Sequence, residues 1–404
     1  ADLLTQRRVV KALKKKRRQA GHGSARANGP ERSLRLARSG RPLRILCIDG
    51  GGVKGLNPTL LLQAIEARVG RDVRDCFDLI CGTSIGAAMA MCISLGASLE
   101  TGIAVLREMA ETRVMVKSSA LRLLTTGSKI SAADLDPMVL DTVARCGVDE
   151  PAAAVAPPPS TTTRTPHFFM TTCCMNKSGS WTPFVNSNYE RKIKGRPFQI
   201  DGATDWPLFE RMRAAVAAPT FFPPHVRNGL DYVDAAIVAN NPTLLAMKEA
   251  RNIWPNRPIG CVVSLGCGKV TNRDGRSGRS GLTYWAGTLL SMPMEVYRIH
   301  KEFQASLPYI NGDLPPPLYF RLEPPTGEYE LDESRRKVLD QMCEVTRKYV
   351  RAKKAKLDRL ALTLLSLSDE QAGSAAALLE QIHTCLADER DVQDALKRRK
   401  DVEA

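Results

Sequence analysis

The sequence has 404 residues, of which 43% are hydrophobic and 25% are charged. This length and composition support two to three domains or one large α/β domain, and they exclude a wholly disordered, collagen-like or disulfide-scaffold chain. The net charge of +15 is concentrated at the N-terminus, because residues 1–44 contain 14 Lys or Arg and only two acidic residues, whereas the remaining chain is nearly balanced.

Residues 1–42 are polar and basic, and we expect a flexible extension in which residues 6–19 could form a short basic helix. We first interpret it as a solvated extension. Because a basic tail attracts polyanions, a helix on an anionic membrane surface and a nucleic-acid-binding segment are the alternatives. Eleven cysteines, several of them in apolar runs, favour a reducing, intracellular setting. No apolar stretch reaches the roughly 20 residues that span a bilayer, so we expect peripheral association with membranes.

From Leu43 onward the sequence alternates between strand and helix patterns, which predicts parallel strands joined by crossover helices. The first predicted elements are a buried strand over 43–48, a helix that opens at Asn57-Pro58 and ends near Gly70, a strand over 76–81, and a buried helix over 85–95. The later ones are a strand over 167–174, a helix over 205–217, a strand over 230–235, a helix from Asn241-Pro242 to about 252, and a strand over 259–268.

Two segments look irregular: the Pro-rich residues 151–166 predict a surface loop, and residues 271–282 predict a polar loop. From Leu331 to the end the chain is mostly helical. We therefore divide the chain into the extension 1–42, a main domain over 43–330, and a helical C-terminal extension over 331–404.

The first of two glycine-rich turns is Asp49-Gly50-Gly51-Gly52-Val53-Lys54-Gly55. Its glycines at 50, 52 and 55 fit the GxGxxG dinucleotide fingerprint. However, the acids about 20 residues on, Asp72 and Asp75, precede the next strand instead of ending it. Consecutive glycines can also present backbone N–H groups to an oxyanion, so the turn is compatible with either use.

The second turn is Gly82-Thr83-Ser84-Ile85-Gly86, between a predicted strand and the buried helix. The pattern G-x-S-x-G in this context is typical of a nucleophile elbow, which exposes a reactive serine at the start of a helix. An ordinary turn in which Ser84 caps the helix is the alternative. The strand before the turn and the apolar helix after it favour the nucleophile.

A serine nucleophile needs a base. Of the five histidines, His22 lies in the extension, His167 begins a strand, and His300 and His383 lie in predicted helices, which leaves His225 as the least unsuitable. Asp234 is the better candidate, although a turn-forming aspartate would look the same. It ends a predicted strand before Ala235-Ala236, where α/β folds place their sites.

The motifs DGGGVKG, GTSIG and DAA, in this order and spacing, resemble those of the patatin-like phospholipases; Ser84 follows Asp49 by 35 residues, and Asp234 follows Ser84 by 150. The segments VANNPTLLAMKEARNIWPNRPIGCVVSLGCG and LPPPLYFRLEPPTGEYELDESRRKVLDQ resemble the calcium-independent phospholipase A₂ gamma branch of that family. The resemblance covers about residues 43 to 360.

The resemblance implies a three-layer α/β fold with a mainly parallel sheet, and a serine hydrolase that cleaves fatty acyl esters of phospholipids or lysophospholipids. It implies a dyad of Ser84 as nucleophile and Asp234 as base, without a catalytic histidine, metal or cofactor, and no nucleic-acid partner is expected. The oxyanion donors are then Gly50, Gly51 and Gly52, and the motifs are completed by Asp49, Lys54, Gly55, Gly82, Gly86, Ala235 and Ala236.

Ala235 stands where the family usually has glycine. If the backbone needs a positive φ at that position, alanine strains the turn by about 1 kcal/mol or more. Two rival functions follow from the sequence: a protein that binds a nucleotide or phosphate through the GGGVKG loop, and a catalytically impaired lipid-binding protein of the same fold.

Overall fold

The structure is a computed structural model, and it describes residues 40–111, 120–176, 178–191, 200–269, 293–368, 378–380 and 382–383. The basic extension up to residue 39 and the predicted loop over 271–282 lie outside these ranges.

In the described part of the chain, nine strands form one sheet, and they are β1 (Leu43–Ile48), β2 (Leu79–Thr83), β3 (His167–Met175), β4 (Trp181–Ser187), β5 (Asp201–Ala203), β6 (His225–Arg227), β7 (Leu230–Asp234), β8 (Ile259–Leu265) and β9 (Leu318–Leu322). Their order is β5-β4-β3-β2-β1-β8-β9, and β7 pairs with both β3 and β6. The central pairs β3–β2, β2–β1, β1–β8 and β8–β9 are parallel, whereas β4, β6 and β7 enter antiparallel pairs.

The helices are α1 (Leu56–Val69), α2 (Ile85–Leu95), α3 (Leu99–Glu111), α4 (Ala120–Thr126), α5 (Ala132–Ala144), α6 (Leu208–Ala215), α7 (Ala236–Ala239), α8 (Thr243–Ile253), α9 (Pro293–Ile310), α10 (Arg336–Ala352) and α11 (Lys354–Ser368). Short 3₁₀ helices occupy Gly52–Gly55 and Val73–Cys76. Within the described ranges, no helix is both long and apolar enough to cross a membrane.

Helices cover both faces of the sheet, which confirms the predicted three layers. Along β1, Leu46 and Ile48 join a core shared with α1, α2, α3, α10 and α11, whereas Ile45 and Cys47 join a second core shared with α8 and α9. A strand that is buried on both faces does not alternate between apolar and polar residues. Apart from Arg44, β1 is accordingly apolar, and this pattern predicted the strand from the sequence. The C-terminal helices thus complete the main core.

Several predicted boundaries differ from the observed ones, and the strand predicted over 259–268 ends at Leu265. The second strand begins at Leu79, because Asp72 caps a 3₁₀ turn by accepting the N–H of Arg74 at 3.0 Å and so holds Cys76 out of the strand. Helix α1 begins one residue before Asn57, directly from the preceding 3₁₀ turn. Helix α6 is shorter than the predicted 205–217, because Pro207 is its N-cap and the carbonyl of Ala217 accepts the N–H of Asp234 at 3.0 Å.

Asn57 is not the helix cap that its place before Pro58 predicts. Its buried amide donates to the carbonyl of Cys267 and to the hydroxyl of Thr326, both at 2.7 Å, and accepts from Thr346 at 2.7 Å. The start of α1 is therefore bonded to the loop after β8 and to helix α10. Residues 151–166 contain turns and isolated bridges without a helix or strand.

Candidate active site

Ser84 lies on a sharp turn between β2 and α2. Its backbone has φ 57° and ψ −129°, a conformation that a residue with a side chain adopts only under strain, and it occupies the N-cap position of α2 without capping the helix through its side chain. The turn is so tight that a Cβ at Gly86 would overlap the backbone carbonyl of Ile48. This is the strand–turn–helix geometry of a nucleophile elbow.

Strand β3 brings Asp234 close to Ser84, because it pairs with both the strand that ends before Ser84 and the strand that ends at Asp234. Thr83, the last residue of β2, is paired with Thr171, and Asp234, the last residue of β7, is paired with Thr172. Strand β7 therefore continues along the edge of β3 where β2 ends. Ser84, directly after Thr83, and Asp234 lie close together because Thr83 and Asp234 are paired with consecutive residues of β3.

The Asp234 side chain is buried, with a residue exposure of 1%. Its Oδ1 accepts the N–H of Ala236 at 2.9 Å, whereas the buried Oδ2 has no hydrogen-bond partner of ordinary geometry among the described residues. Burial raises the pKa of Asp234 to about 6, although the neighbouring Ser84 hydroxyl and the Ala236 N–H oppose that rise. A carboxylate with this pKa can accept a proton near neutral pH.

Ala235 does not strain the turn after Asp234. Its φ is −72° and its ψ is 0°, values that any residue adopts, and the side chain packs in a small cluster with Cys173 and Val233. The condition under which alanine would strain this turn, a positive φ, is therefore not met. The backbone turns without a positive φ because Asp234 Oδ1 holds the Ala236 N–H and begins the short helix α7.

Two N–H groups of the glycine loop after β1 have no backbone acceptor among the described residues. The N–H of Gly50 donates to the carbonyl of Asn240 at 3.2 Å, that of Val53 to Leu331 at 3.0 Å, and that of Lys54 to Gly51 at 3.1 Å. In the described part of the chain, the N–H groups of Gly51 and Gly52 donate to no backbone carbonyl. Gly52 has φ +55°, and a Cβ there would overlap the carbonyl of Leu331.

A cavity of about 1160 Å³ joins these elements. It is lined by Ser84 and Asp234 together with the motif residues Asp49, Gly50, Gly51, Gly52, Lys54 and Ala236. The other motif residues, Gly55, Gly82, Gly86 and Ala235, lie behind the lining, and Gly55 packs closely against Ile85. The structure therefore brings Ser84, Asp234 and the glycine loop to one cavity.

Away from the motifs, the cavity wall is mainly apolar. Helices α2, α3, α5 and α6 and the segment after α6 supply residues at helical spacing, namely Ile85, Ala88, Met89, Val105, Leu106, Met109, Leu135, Met138, Val139, Met212, Val216, Phe221 and Phe222. A long hydrocarbon chain gains free energy on entering such a space, about 0.8 kcal/mol for each buried CH₂ group.

Charged side chains line another part of the wall. Lys54 lies there with Glu323 and Glu330, and burial lowers the pKa of its ammonium while Cys267, Glu330 and Glu323 oppose the shift. The cavity thus offers both apolar and charged lining, as an amphipathic ligand requires.

No histidine of the described chain lines this cavity. His225 lies 3.4 Å from Glu210, His300 lies 3.0 Å from the hydroxyl of Tyr319, and the ring of His167 packs against Trp254. Among the described residues, no group of three His, Cys, Asp or Glu side chains is arranged to hold a metal ion.

Sequence reasoning missed two residues that hold the glycine loop. Asn240 accepts the Gly50 N–H, and Arg321 forms an ion pair with Asp49 at 2.6 Å. Both occur in the segments that resemble the gamma branch, VANNP and LYFRLEPPTG, so the resemblance marked them without giving a role.

The chain is similar to several known proteins. A family model described as patatin-like phospholipase matches residues 46–247. Calcium-independent phospholipase A2-gamma of Oryctolagus cuniculus and that of Homo sapiens are each 29% identical to this chain, over 338 and 328 residues, and each match covers 80% of this chain and 40% of the relative.

Two further proteins are similar. Phospholipase A I of Arabidopsis thaliana is 27% identical over 339 residues, which cover 72% of this chain and 25% of that protein. The solved structure of human GIVD cytosolic phospholipase A2 matches with a TM-score of 0.43 and 10% identity, over 83% of this chain and 64% of that chain. The chain spans about 40% of the length of the two gamma relatives.

Proposed function

This chain belongs to the patatin-like phospholipase family, and we propose that it is a serine hydrolase that cleaves fatty acyl esters of glycerophospholipids or lysophospholipids. The observation that carries the proposal is the meeting of Ser84, on a strained elbow, and the buried Asp234 in one largely apolar cavity.

In the first step, Asp234 takes the hydroxyl proton of Ser84 as the Ser84 oxygen attacks the acyl carbonyl. Asp234 Oδ2, which has no hydrogen-bond partner of ordinary geometry among the described residues, is the acceptor that this transfer needs. Burial makes the carboxylate more basic than an exposed one, and a base with a pKa near the working pH transfers protons efficiently.

The attack produces an oxyanion, for which the free N–H groups of Gly51 and Gly52 are the best donors. Gly50, the third glycine that the resemblance implied, contributes by anchoring the loop, because its own N–H is bonded to Asn240. The N-terminus of α2, which begins directly after Ser84, adds a positive potential at the same point. Two fixed donors are enough to stabilise a tetrahedral intermediate.

When the intermediate collapses, the lysolipid or glycerol phosphate ester leaves and accepts the proton held by Asp234. The fatty acyl chain stays bound to Ser84 as an ester, with its hydrocarbon tail in the apolar part of the cavity. Asp234 then removes a proton from a water molecule whose oxygen attacks the acyl carbonyl. As the bond between the acyl carbon and the Ser84 oxygen breaks, Asp234 returns that proton to Ser84, and the fatty acid is released. No step requires a histidine, metal or cofactor.

The rival function of nucleotide binding is less well supported. A phosphate-binding loop needs a run of free N–H groups, but those of Gly50, Val53 and Lys54 are already bonded within the protein. The other rival, a catalytically impaired lipid-binding protein, depended on backbone strain at Ala235, and that residue has an ordinary backbone conformation.

Two experiments test the proposal. The wild type should react covalently with a fluorophosphonate ester and should release fatty acid from a mixed-acyl phospholipid, and the masses of the products identify the bond that is cut. Ser84→Ala should lose both reactions, while Ser98→Ala, at an exposed serine of the same region, should retain them. Labelling that persists in Ser84→Ala would remove Ser84 as the nucleophile.

We further propose that the protein reaches its substrate as a peripheral protein on an intracellular anionic membrane surface, through the basic residues 1–44. That segment carries 14 of the 58 Lys and Arg residues of the chain. Each basic residue close to an anionic surface contributes about 1 kcal/mol to binding.

A further inference from the structure

The two free N–H groups of the glycine loop have no side chains of their own to fix them. Their direction depends on the residues on either side, namely Asp49 and Gly50 before them and Val53 after them. The N–H of Gly50 is held by the carbonyl of Asn240. Val53 is held by the carbonyl of Leu331, and Asp49 is held by a side chain from strand β9.

That side chain is Arg321. Its Nη2 donates to Asp49 Oδ2 at 2.6 Å and to Glu323 Oε1 at 2.9 Å, and its Nη1 donates to the hydroxyl of Ser264 at 2.9 Å. The Arg321 and Asp49 side chains are 6% and 2% exposed. Burial alone would lower the pKa of the guanidinium, but Asp49 and Glu323 outweigh burial and raise it, so Arg321 stays charged.

The ion pair is not needed to hold the end of β1. The backbone of Asp49 already donates to Leu265 at 3.0 Å, and every residue of β1 is paired with β8. Replacing a buried ion pair with apolar side chains is often neutral for stability. A pair of charges beside an otherwise well-bonded strand end therefore points to a geometric role at the loop.

We propose that Arg321 is a positioning residue of the hydrolytic site, which through Asp49 fixes the direction of the Gly51 and Gly52 N–H groups. The proposal rests on the hydrolase function above. Arg321 does not line the cavity, so it acts through Asp49 and does not touch the substrate. It also lies beyond residues 46–247, so the working site extends past the segment that the family model matches.

The test compares Arg321→Met with Arg191→Met. Arg191 forms an equally buried pair with Glu249, at 2.9 Å, on the β4–β5 side of the sheet. Both variants should lose thermal stability. Only Arg321→Met should lower kcat for a soluble short-chain ester, by about 10- to 100-fold, because removal of a whole oxyanion donor lowers kcat by about 10²- to 10³-fold. KM should change less than about twofold, since ground-state binding is untouched.

Amide hydrogen exchange of residues 49–54 gives a readout that does not depend on activity. Exchange should be faster in Arg321→Met than in the wild type and in Arg191→Met. If the wild type neither hydrolyses esters nor reacts with fluorophosphonate, the hydrolase function is wrong, and the exchange rates still decide whether Arg321 holds the loop. Equal exchange at residues 49–54 in all three proteins overturns the positioning role.

A double variant, Asp49→Asn with Arg321→Met, covers the case in which the single variant does not fold, because it leaves no unpaired charge on Asp49. The double variant should fold and keep the lowered kcat and the fast exchange of residues 49–54. A wild-type kcat in the folded double variant overturns the proposal, since the loop would then be positioned without the pair. Arg321→Lys, which keeps the charge but loses the fork of donors, should give an intermediate kcat.

Discussion

Thr83 donates its hydroxyl hydrogen to the carbonyl of Ala239 at 2.7 Å. This bond joins the residue before Ser84 to the helical turn that follows Asp234, and Thr83 Oγ1 also lies 2.6 Å from the hydroxyl of Thr171 on β3. The elbow and the carboxylate are thus tied together by a side chain that does not line the cavity.

Thr83→Val should lower both stability and activity. The change keeps the shape of the side chain but leaves the buried Ala239 carbonyl without its donor, which costs about 1–3 kcal/mol. Loosening the tie should also reduce kcat, and Thr83→Ser, which keeps the hydroxyl, should restore most of it. Chemical denaturation and ester hydrolysis measure the two effects, and an unchanged kcat in a folded Thr83→Val protein would contradict the role of the tie.

Asp234→Asn should lower kcat by at least the 10²–10⁴-fold that a general base contributes. The amide is nearly isosteric with the carboxylate but cannot accept the Ser84 proton. His167→Ala, His225→Ala and His300→Ala are the controls and should each keep most of the activity. A histidine variant as inactive as Asp234→Asn would replace the dyad with a triad.

Asp234→Asn should also raise the free energy of unfolding of the protein above pH 6. Burial raises the pKa of Asp234 from 3.8 to about 6 in the folded protein, so the folded state disfavours the ionised carboxylate. The wild type is therefore most stable, as far as this group is concerned, below pH 4 and loses stability as the pH rises through 6. Asp234→Asn should avoid a loss of up to about 3 kcal/mol, and urea unfolding at pH 4 and pH 8 measures it.

The activity of the wild type should have the opposite dependence on pH. Only ionised Asp234 can accept a proton, so kcat/KM for a neutral ester should rise about tenfold per pH unit below pH 6 and level off above it. A profile that is flat between pH 5 and pH 7 would contradict Asp234 as the base.

The width of the apolar cavity should select the acyl chain. Val105→Trp fills part of the wall of the cavity, whereas Ala104→Trp adds the same side chain at the neighbouring exposed position of α3. Val105→Trp should lower kcat/KM for a long-chain ester by about 10- to 200-fold, the equivalent of two to four CH₂ groups that no longer fit. Hydrolysis of a butyrate ester should stay within about threefold in both variants.

The sequence was sufficient for the parts of the fold that depend on local pattern. Strand β1 and helix α2 have the predicted bounds. A short apolar run between glycines and a helix that is apolar on all sides are stable only when they are buried in the core, so their sequence patterns were sufficient to predict them. Ser84 and Asp234 were identified from strand ends followed by turns, and the structure places both in the cavity.

Contacts between residues that are far apart in the sequence could not be predicted from local sequence patterns. No local signal indicates that the Gly50 N–H is bonded to Asn240, or that Arg321 reaches back to Asp49, because each contact depends on the order of strands in the sheet. The concern about Ala235 also came from a motif alone, and the hydrogen bond from Ala236 to Asp234 that turns the chain appears only in three dimensions.

The basic segment 1–44 should bind anionic vesicles in a salt-dependent way. Its 14 Lys and Arg against two acidic residues would contribute a few kcal/mol if even four or five basic side chains faced the surface together. That attraction is screened over about 8 Å at physiological salt, so binding should weaken steeply as salt is added. Replacing the eight basic residues between 7 and 18 with Gln keeps the length and should remove most of the salt dependence.

Co-sedimentation with vesicles of anionic and of neutral lipid measures this binding, and hydrolysis of a soluble short-chain ester is the control. The ester reaction should hardly change in the Gln variant, because Ser84 and Asp234 both lie in the body of the protein. A loss of vesicle binding with full ester hydrolysis separates membrane recruitment from catalysis. Equal binding of the two proteins at low salt would instead make the segment a linker, and the protein would then have to reach lipid through the surface around its cavity.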